Sequence, residues 1–169
     1  QITATPHRHV IVGEHDFEIV TPNAETVPFE KATRWADWLG ADYSGEVDYH
    51  IAIDLPEAWA NTPLQLGCGT IEYAATVLLD GTPVGQMLWP PWRITLPPTP
   101  PGKHEIIIRV ANTLANELTS DRVTALWSEK KGPGWPSPYH ERALVFERES
   151  RGGGMQGAVV IRRMRAITN

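Results

Sequence analysis

Five aromatic side chains sit in or beside proline-rich segments. Trp89 and Trp92 lie in GQMLWPPWRITL (Gly85 to Leu96), and Trp127, Trp135 and Tyr139 lie further along. An indole held between prolines presents a flat apolar face with a hydrogen-bond donor at its edge, which suits the apolar face of a pyranose ring and the hydroxyls around it. Arg122 and His140 fall nearby in the sequence and are the candidate hydrogen-bonding partners at the rim. Trp127 and Trp135 lead this set, because the segment Leu114 to His140 reads as a long polar loop in which a binding surface can vary without disturbing a scaffold. A second reading stays open, in which tryptophans and prolines stack on one another to close the end of a β-sandwich. Trp35, Trp38 and Trp59 sit beside short apolar runs and are assigned to packing.

Other chemistry is less well served. Glycosidase catalysis needs two carboxyl groups roughly 5 to 10 Å apart across a pocket. Glu46 and Asp48 share a strand face, as Glu147 and Glu149 do, but spaced acids on a wet face read as solubilising charge. His7 and His9 fall on one face without a third metal ligand. The metal question is left open, structural calcium included, since no acidic loop motif announces it. No phosphate loop, zinc-protease helix or serine elbow is present, and Cys68 in GCGT reads as a buried free thiol.

The elements that must position these residues are short strands. The chain has 15 Pro and 14 Gly in 169 residues and only 21% charged residues, a composition of turns and strands. Candidate strands are Phe17 to Val20, Gly45 to Leu55, Leu64 to Leu66, Tyr73 to Leu79, Arg93 to Leu96, His104 to Val110, Ala143 to Phe146 and Gly157 to Met164. In VDYHIAIDL (Val47 to Leu55), Val47, Tyr49, Ile51, Ile53 and Leu55 share one face, while Asp48, His50 and Asp54 share the other. TVLLDGTPVG (Thr76 to Gly85) carries the Asp-Gly pair of a tight hairpin with positive φ at both central residues. Ile106, Ile107 and Ile108 blur the alternation of a strand expected at the centre of a sheet. A short helix is expected near Pro28 to Leu39, and one domain over 1–169.

A net charge of -5 argues against nucleic acid as a partner. No run is long and apolar enough for a membrane span, and the opening QITATPHRHV reads as a mature or excised segment.

The order of motifs carries a resemblance. YSGEVDYHIAIDLPE (Tyr43 to Glu57), LGCGTIEYAATVLLDGTPVGQMLWPPWRITL (Leu66 to Leu96) and PGKHEIIIRVANTLANEL (Pro101 to Leu118) together resemble the galactose-binding-like β-sandwich domain attached to glycoside hydrolases. The likeness is strongest to the domain near the C-terminus of family 106 α-L-rhamnosidases and looser to the sugar-binding domain of family 2 enzymes. Tyr43, Ser44 and Gly45 match an aromatic-Ser-Gly opening; Asp80 and Gly81 match the turn. Trp89, Pro90, Pro91 and Trp92 match a Trp-x-Pro-Pro-aromatic element, and Asn112 and Asn116 match the strand exit. RGGGMQG (Arg151 to Gly157) departs from the family's compact closing turn.

The resemblance implies an all-β jelly-roll sandwich and a noncatalytic carbohydrate-binding accessory domain, with a catalytic domain in the same parent chain as possible partner and an extracellular or periplasmic location. Two other classes remain: a structural domain packed on a catalytic neighbour, and a small glycan hydrolase or lyase using Glu141 or Glu147 with His140.

Overall fold

The computed structural model describes residues 2–11, 17–20, 34–129 and 153–164. Its strands in chain order are β1 (Ile2–Ile11), β2 (Phe17–Val20), β3 (Gly45–Leu55), β4 (Leu64–Gly67), β5 (Thr70–Glu72) and β6 (Ala74–Leu79). They continue as β7 (Thr82–Met87), β8 (Arg93–Leu96), β9 (Gly102–Ala111), β10 (Gly154–Gln156) and β11 (Val160–Arg163). The helices are α1 (Trp35–Trp38), α2 (Ala115–Leu118) and α3 (Asp121–Glu129).

The strands form an antiparallel sheet in the order β2-β1-β3-β9-β6-β7, a three-stranded sheet β11-β4-β8 and a β10-β5 pair. The chain passes repeatedly between the large sheet and the smaller ones, giving the expected all-β jelly-roll sandwich. Alternation decides which side chains meet in the middle. Val47 and Tyr49 of β3, Ala75 and Val77 of β6, and Ile106, Ile108 and Val110 of β9 point inward from the large sheet. Leu64, Leu66, Ile71, Leu96 and Met155 close the core from the other layer. Burying side chains of this size contributes about 1.5–3 kcal/mol each.

The Asp-Gly turn forms as its sequence demands. Leu79 pairs with Thr82, and the two residues between them, Asp80 and Gly81, have φ of 49° and 77°. Strand β9 lies between β3 and β6, so it is central, with Ile107 half-buried on its outer face.

Strand β1 has no counterpart among the sequence expectations. Its Pro6 breaks the apparent pattern, yet the register explains how it is tolerated. Pro6 pairs with Val47 of β3, whereas β2 pairs with Arg8 to Ile11, so among the described residues Pro6 has no strand on its other side and its missing N–H leaves no described ladder bond unmade.

The segment expected as one long loop from Leu114 is helical through Glu129. Ser120 accepts a hydrogen bond on its Oγ from the Val123 amide at 3.3 Å, and Asp121 stands in the first turn, where a negative charge opposes the helix dipole. Val123 is buried, which ties α3 to the body of the protein. The expected helix at Pro28 to Leu39 is described only over its last part, as α1, and Ala143 to Phe146 lies outside the described residues.

Trp35 of α1 is fully packed. Its Nε1 donates to the Tyr49 hydroxyl at 2.8 Å, and its ring meets that of Tyr43 edge-on at 5.3 Å. Gly153 makes room for it: a Cβ there would lie 2.5 Å from the indole. Trp38 and Trp59 pack partly buried against the same core.

Candidate functional site

Strand β7 leads out of the sheet at Met87, which is buried, and the next residues turn away from the core. Leu88 is 49% exposed and Trp89 73% exposed, with Pro90 and Pro91 exposed behind them. The Arg93 amide bonds back to the Pro91 carbonyl at 2.7 Å, and the Cys68 amide donates to the Trp92 carbonyl at 2.9 Å. Trp92 is half-buried and packs against the core. One short segment therefore holds an inward tryptophan as an anchor and an outward tryptophan as a free apolar face. Tyr73, 42% exposed, lies at the same end of the β6/β7 ribbon, two residues before Ala75, the partner of Met87.

The other expected site residues are placed differently. Trp127 belongs to the last turn of α3 rather than to a loop. Trp135, Tyr139 and His140 lie outside the described residues, as do Glu141, Glu147 and Glu149. Arg122 is engaged with Glu117, a carboxylate with 0% exposure that also lies 3.5 Å from Arg8. Arg8 in turn bonds Asp42 at 2.7 Å. This network fastens α2 and α3 to β1.

Two of the resembling motifs, the Tyr43–Gly45 opening and the Asn112 and Asn116 exit, meet in space. Asn112 Nδ2 donates to the Tyr43 carbonyl at 2.9 Å, Asn116 Nδ2 reaches the same oxygen at 3.2 Å, and Ser44 Oγ accepts from the Glu117 amide at 2.9 Å. They hold the sandwich end closed through backbone contacts.

Glu46 and Asp48 share the outer face of β3, but neither stands as a solvated charge. Asp48 is only 6% exposed and receives both Nε and Nη2 of Arg109, at 2.7 and 2.8 Å; Glu46 lies 3.7 Å from the same guanidinium. Burial pushes the Asp48 carboxyl up, yet the hydrogen bonds and charge of Arg109, with His7 and His50 adding, outweigh it and hold the group below its ordinary value. Two acids tied to one arginine do not form an acid/base pair across a cleft.

Cys68 is half-buried, and burial raises its thiol to about 11, so it is protonated at neutral pH and a poor nucleophile. His7 Nε2 lies 3.6 Å from Asp48, and among the described residues no group of three His, Cys, Asp or Glu side chains is arranged to hold a metal ion. No described helix is long and apolar enough to cross a membrane.

Among the described residues, two hollows bear on these groups. One, of about 530 Å³, lies beside the hairpin turn, lined by Asp54, Asp80, Lys103, His104 and Glu105. There His104 Nδ1 is 2.7 Å from Asp80 Oδ2 and Nε2 is 3.0 Å from the Pro100 carbonyl. Both neighbours accept, so the imidazolium fits best, and the Asp80 hydrogen bond raises the His104 pKa. The pair braces the turn. The other hollow, of about 290 Å³, opens over Gly67 between Arg93 and Arg162.

The chain matches no protein-family model. It is 28% identical over 142 residues to a protein named "Putative beta-glucuronidase" from Formosa agariphila, covering 78% of this chain and 12% of that protein. Among solved structures, a rhamnosidase from Novosphingobium sp. PP1Y matches with a TM-score of 0.56 and 22% identity, over 95% of this chain and 14% of the other. A GH2 β-galacturonidase from Eisenbergiella tayi matches with a TM-score of 0.51 and 17% identity, over 98% and 24%. The structural likenesses establish the fold. In each comparison this chain spans a small part of a glycoside hydrolase.

Proposed function

We propose that this chain is a noncatalytic accessory domain of a carbohydrate-cleaving enzyme, one domain over 1–169, which binds saccharide by stacking a sugar face on Trp89. The observation that carries this reading is the division of labour in LWPPW, where Trp92 packs inward and leaves Trp89 73% exposed beside two prolines. A large indole left in water on a braced segment has its apolar face available and little conformational freedom to lose on binding. That the chain spans only 12–24% of the enzymes it matches supports an accessory role. The finer likeness to the C-terminal domain of family 106 α-L-rhamnosidases belongs to the same proposal, as do Trp127, Trp135, Tyr139, Arg122 and His140 as further site residues and Trp92 as the anchor that holds Trp89 in place. So does a location outside the cytoplasm, where polysaccharides are met.

Tryptophan fluorescence during glycan titration, run beside affinity electrophoresis in gels containing neutral polysaccharides, tests the stacking reading. A blue shift with retardation is expected. Neither effect on any glycan would favour the second reading, docking on a catalytic neighbour. The grouping of Leu88, Trp89 and Tyr73 at one end of the sandwich is the observation that keeps this reading in play.

A further inference from the structure

The three-stranded sheet has a gap in its outer face. Leu64 and Leu66 of β4 point into the core, so Gln65 and Gly67 point outward. Strand β4 is the middle strand, with β8 on one side and β11 on the other. The register sets Gly67 between Arg93 and Val160, and Gln65 between Thr95 and Arg162. A missing side chain on the middle strand, with Arg93 on one side and Val160 on the other, makes a depression, and here it measures about 290 Å³.

Backbone geometry does not require glycine at position 67. Its φ is not in the left-handed region, and a Cβ there would lie 3.8 Å from the Arg93 Cγ and from the Val160 carbonyl, an ordinary contact. Gly69, two residues on, is different: a Cβ would lie 2.2 Å from the Gln156 carbonyl. Gly69 is needed for close approach of two backbones, whereas Gly67 keeps a space open.

The charge in that space is one-sided. Among the described residues its lining holds Arg93 and Arg162 and no carboxylate, and neither arginine has an ion pair among the described residues. This stands out in a chain of net charge -5. A guanidinium presents parallel N–H groups that match the paired oxygens of a carboxylate or sulfate. The Gln65 side chain adds a neutral donor and acceptor for hydroxyls. The volume lies at the lower limit of small-molecule sites, which run from about 300 Å³ upward, and so fits one sugar unit rather than a run of them.

We propose that the cleft over Gly67 is a subsite for the acidic group of an anionic saccharide, a carboxylate or a sulfate, held between Arg93 and Arg162. The saccharide part of this inference rests on the carbohydrate-binding reading above; the selection for negative charge rests on the cleft alone. The two features are neighbours in the chain, since Arg93 follows Trp92 and the Cys68 amide at the cleft rim bonds the Trp92 carbonyl. A bound oligosaccharide would place its acidic unit in the cleft and an apolar ring face toward Trp89.

Calorimetric titration of the whole chain with a galacturonate trisaccharide, a sulfated galactose trisaccharide and a neutral galactose trisaccharide tests this. At least one acidic ligand should bind tenfold or more tightly than the neutral one, and raising the salt should weaken only the acidic ligands. Arg93→Gln, Arg162→Gln and Gly67→Val should each reduce acidic binding about tenfold, while Gly67→Ala, a smaller intrusion into the cleft, keeps the test open if the valine variant misfolds. The acidic ligand that binds more tightly identifies the group recognised. Equal affinity for acidic and neutral ligands, or acidic binding unmoved by both arginine variants, overturns the subsite. Trp89→Ala separates the two ideas: acidic preference that persists after neutral retention is unaffected by Trp89→Ala sinks the stacking reading and leaves the cleft standing. Neutral binding lost in Trp89→Ala without acidic preference does the reverse, and no binding to any of the three overturns both.

Discussion

Asn112 and Gly45 are bonded twice: the Asn112 amide donates to the Gly45 carbonyl at 3.1 Å, and the Gly45 amide donates to Asn112 Oδ1 at 2.8 Å. With Nδ2 on the Tyr43 carbonyl, the Asn112 side chain adds two hydrogen bonds where β3 begins and β9 ends. Asn112→Ala leaves the Gly45 amide without its partner and the Tyr43 carbonyl with Asn116 in place of two donors, and is expected to cost about 1–3 kcal/mol. Asn112→Asp keeps the acceptor but sets a carboxylate oxygen against the Tyr43 carbonyl, so it should be no less damaging. Urea unfolding midpoints check both, and an aspartate variant as stable as the parent would contradict the assignment.

Two glycines of positive φ, at opposite ends of the large sheet, differ in what surrounds them. Gly45 has φ of 147°, and a Cβ there would fall 2.1 Å from the His7 carbonyl, backbone that cannot move without breaking the β1/β3 ladder. Gly81 also has positive φ, 77°, but meets nothing within 4 Å. Gly81→Ala should cost about 1–2 kcal/mol, the penalty of the left-handed conformation alone. Gly45→Ala should cost more than about 4 kcal/mol, in the range reserved for a specific structural conflict. Thermal unfolding of the two variants, compared directly, gives the order.

Asp48 sets an acid sensitivity. Its folded-state pKa is depressed, so the stability it contributes is fully present above the unfolded carboxylate value and is lost as the pH falls through the folded one. Asp48→Asn should be less stable at pH 7 by about 1–3 kcal/mol, the size of a hydrogen bond to a charged group with a half-exposed partner. The gap should close on acidification, as the parent's carboxyl becomes protonated. Urea midpoints for both proteins between pH 7 and pH 2 test the sign; a gap that widens in acid would refute it.

What could be seen in the sequence follows from the range of the signal. Strand β3 and the Asp80–Gly81 turn were legible because period-two alternation and positive φ are local properties. Strand β1 was not, because whether Pro6 is tolerated depends on how far β2 extends along it. Helices α2 and α3 announce themselves only through Ser120 and one buried Val123, too little to outweigh the glycines and prolines that follow. The paired acids Glu46 and Asp48 read as surface charge because Arg109, far along the chain, reaches them only through the β3/β9 register. The cleft was invisible for the same reason: Gly67 means little until pairing sets it between Arg93 and Val160 and brings Arg162 beside Gln65, two residues along.

The two tryptophans of LWPPW give the last prediction. Trp92 packs half-buried against the core, so Trp92→Ala should cost about 2 kcal/mol, less than the roughly 3–5 kcal/mol of a fully buried aromatic. Trp89 touches little of the core and Trp89→Ala should change stability by no more than about 0.5 kcal/mol. If the exposed ring is the stacking surface, the order reverses for binding. Trp89→Ala should lose retardation in glycan gels while unfolding at the parent's midpoint, and Trp89→Phe should recover part of it, because a smaller aromatic still offers a flat face. Trp92→Ala should weaken retardation only as far as its lost stability loosens the segment. Equal retardation in the parent and Trp89→Ala would leave Trp89 as a contact for a neighbouring domain, with the prolines serving to present it there.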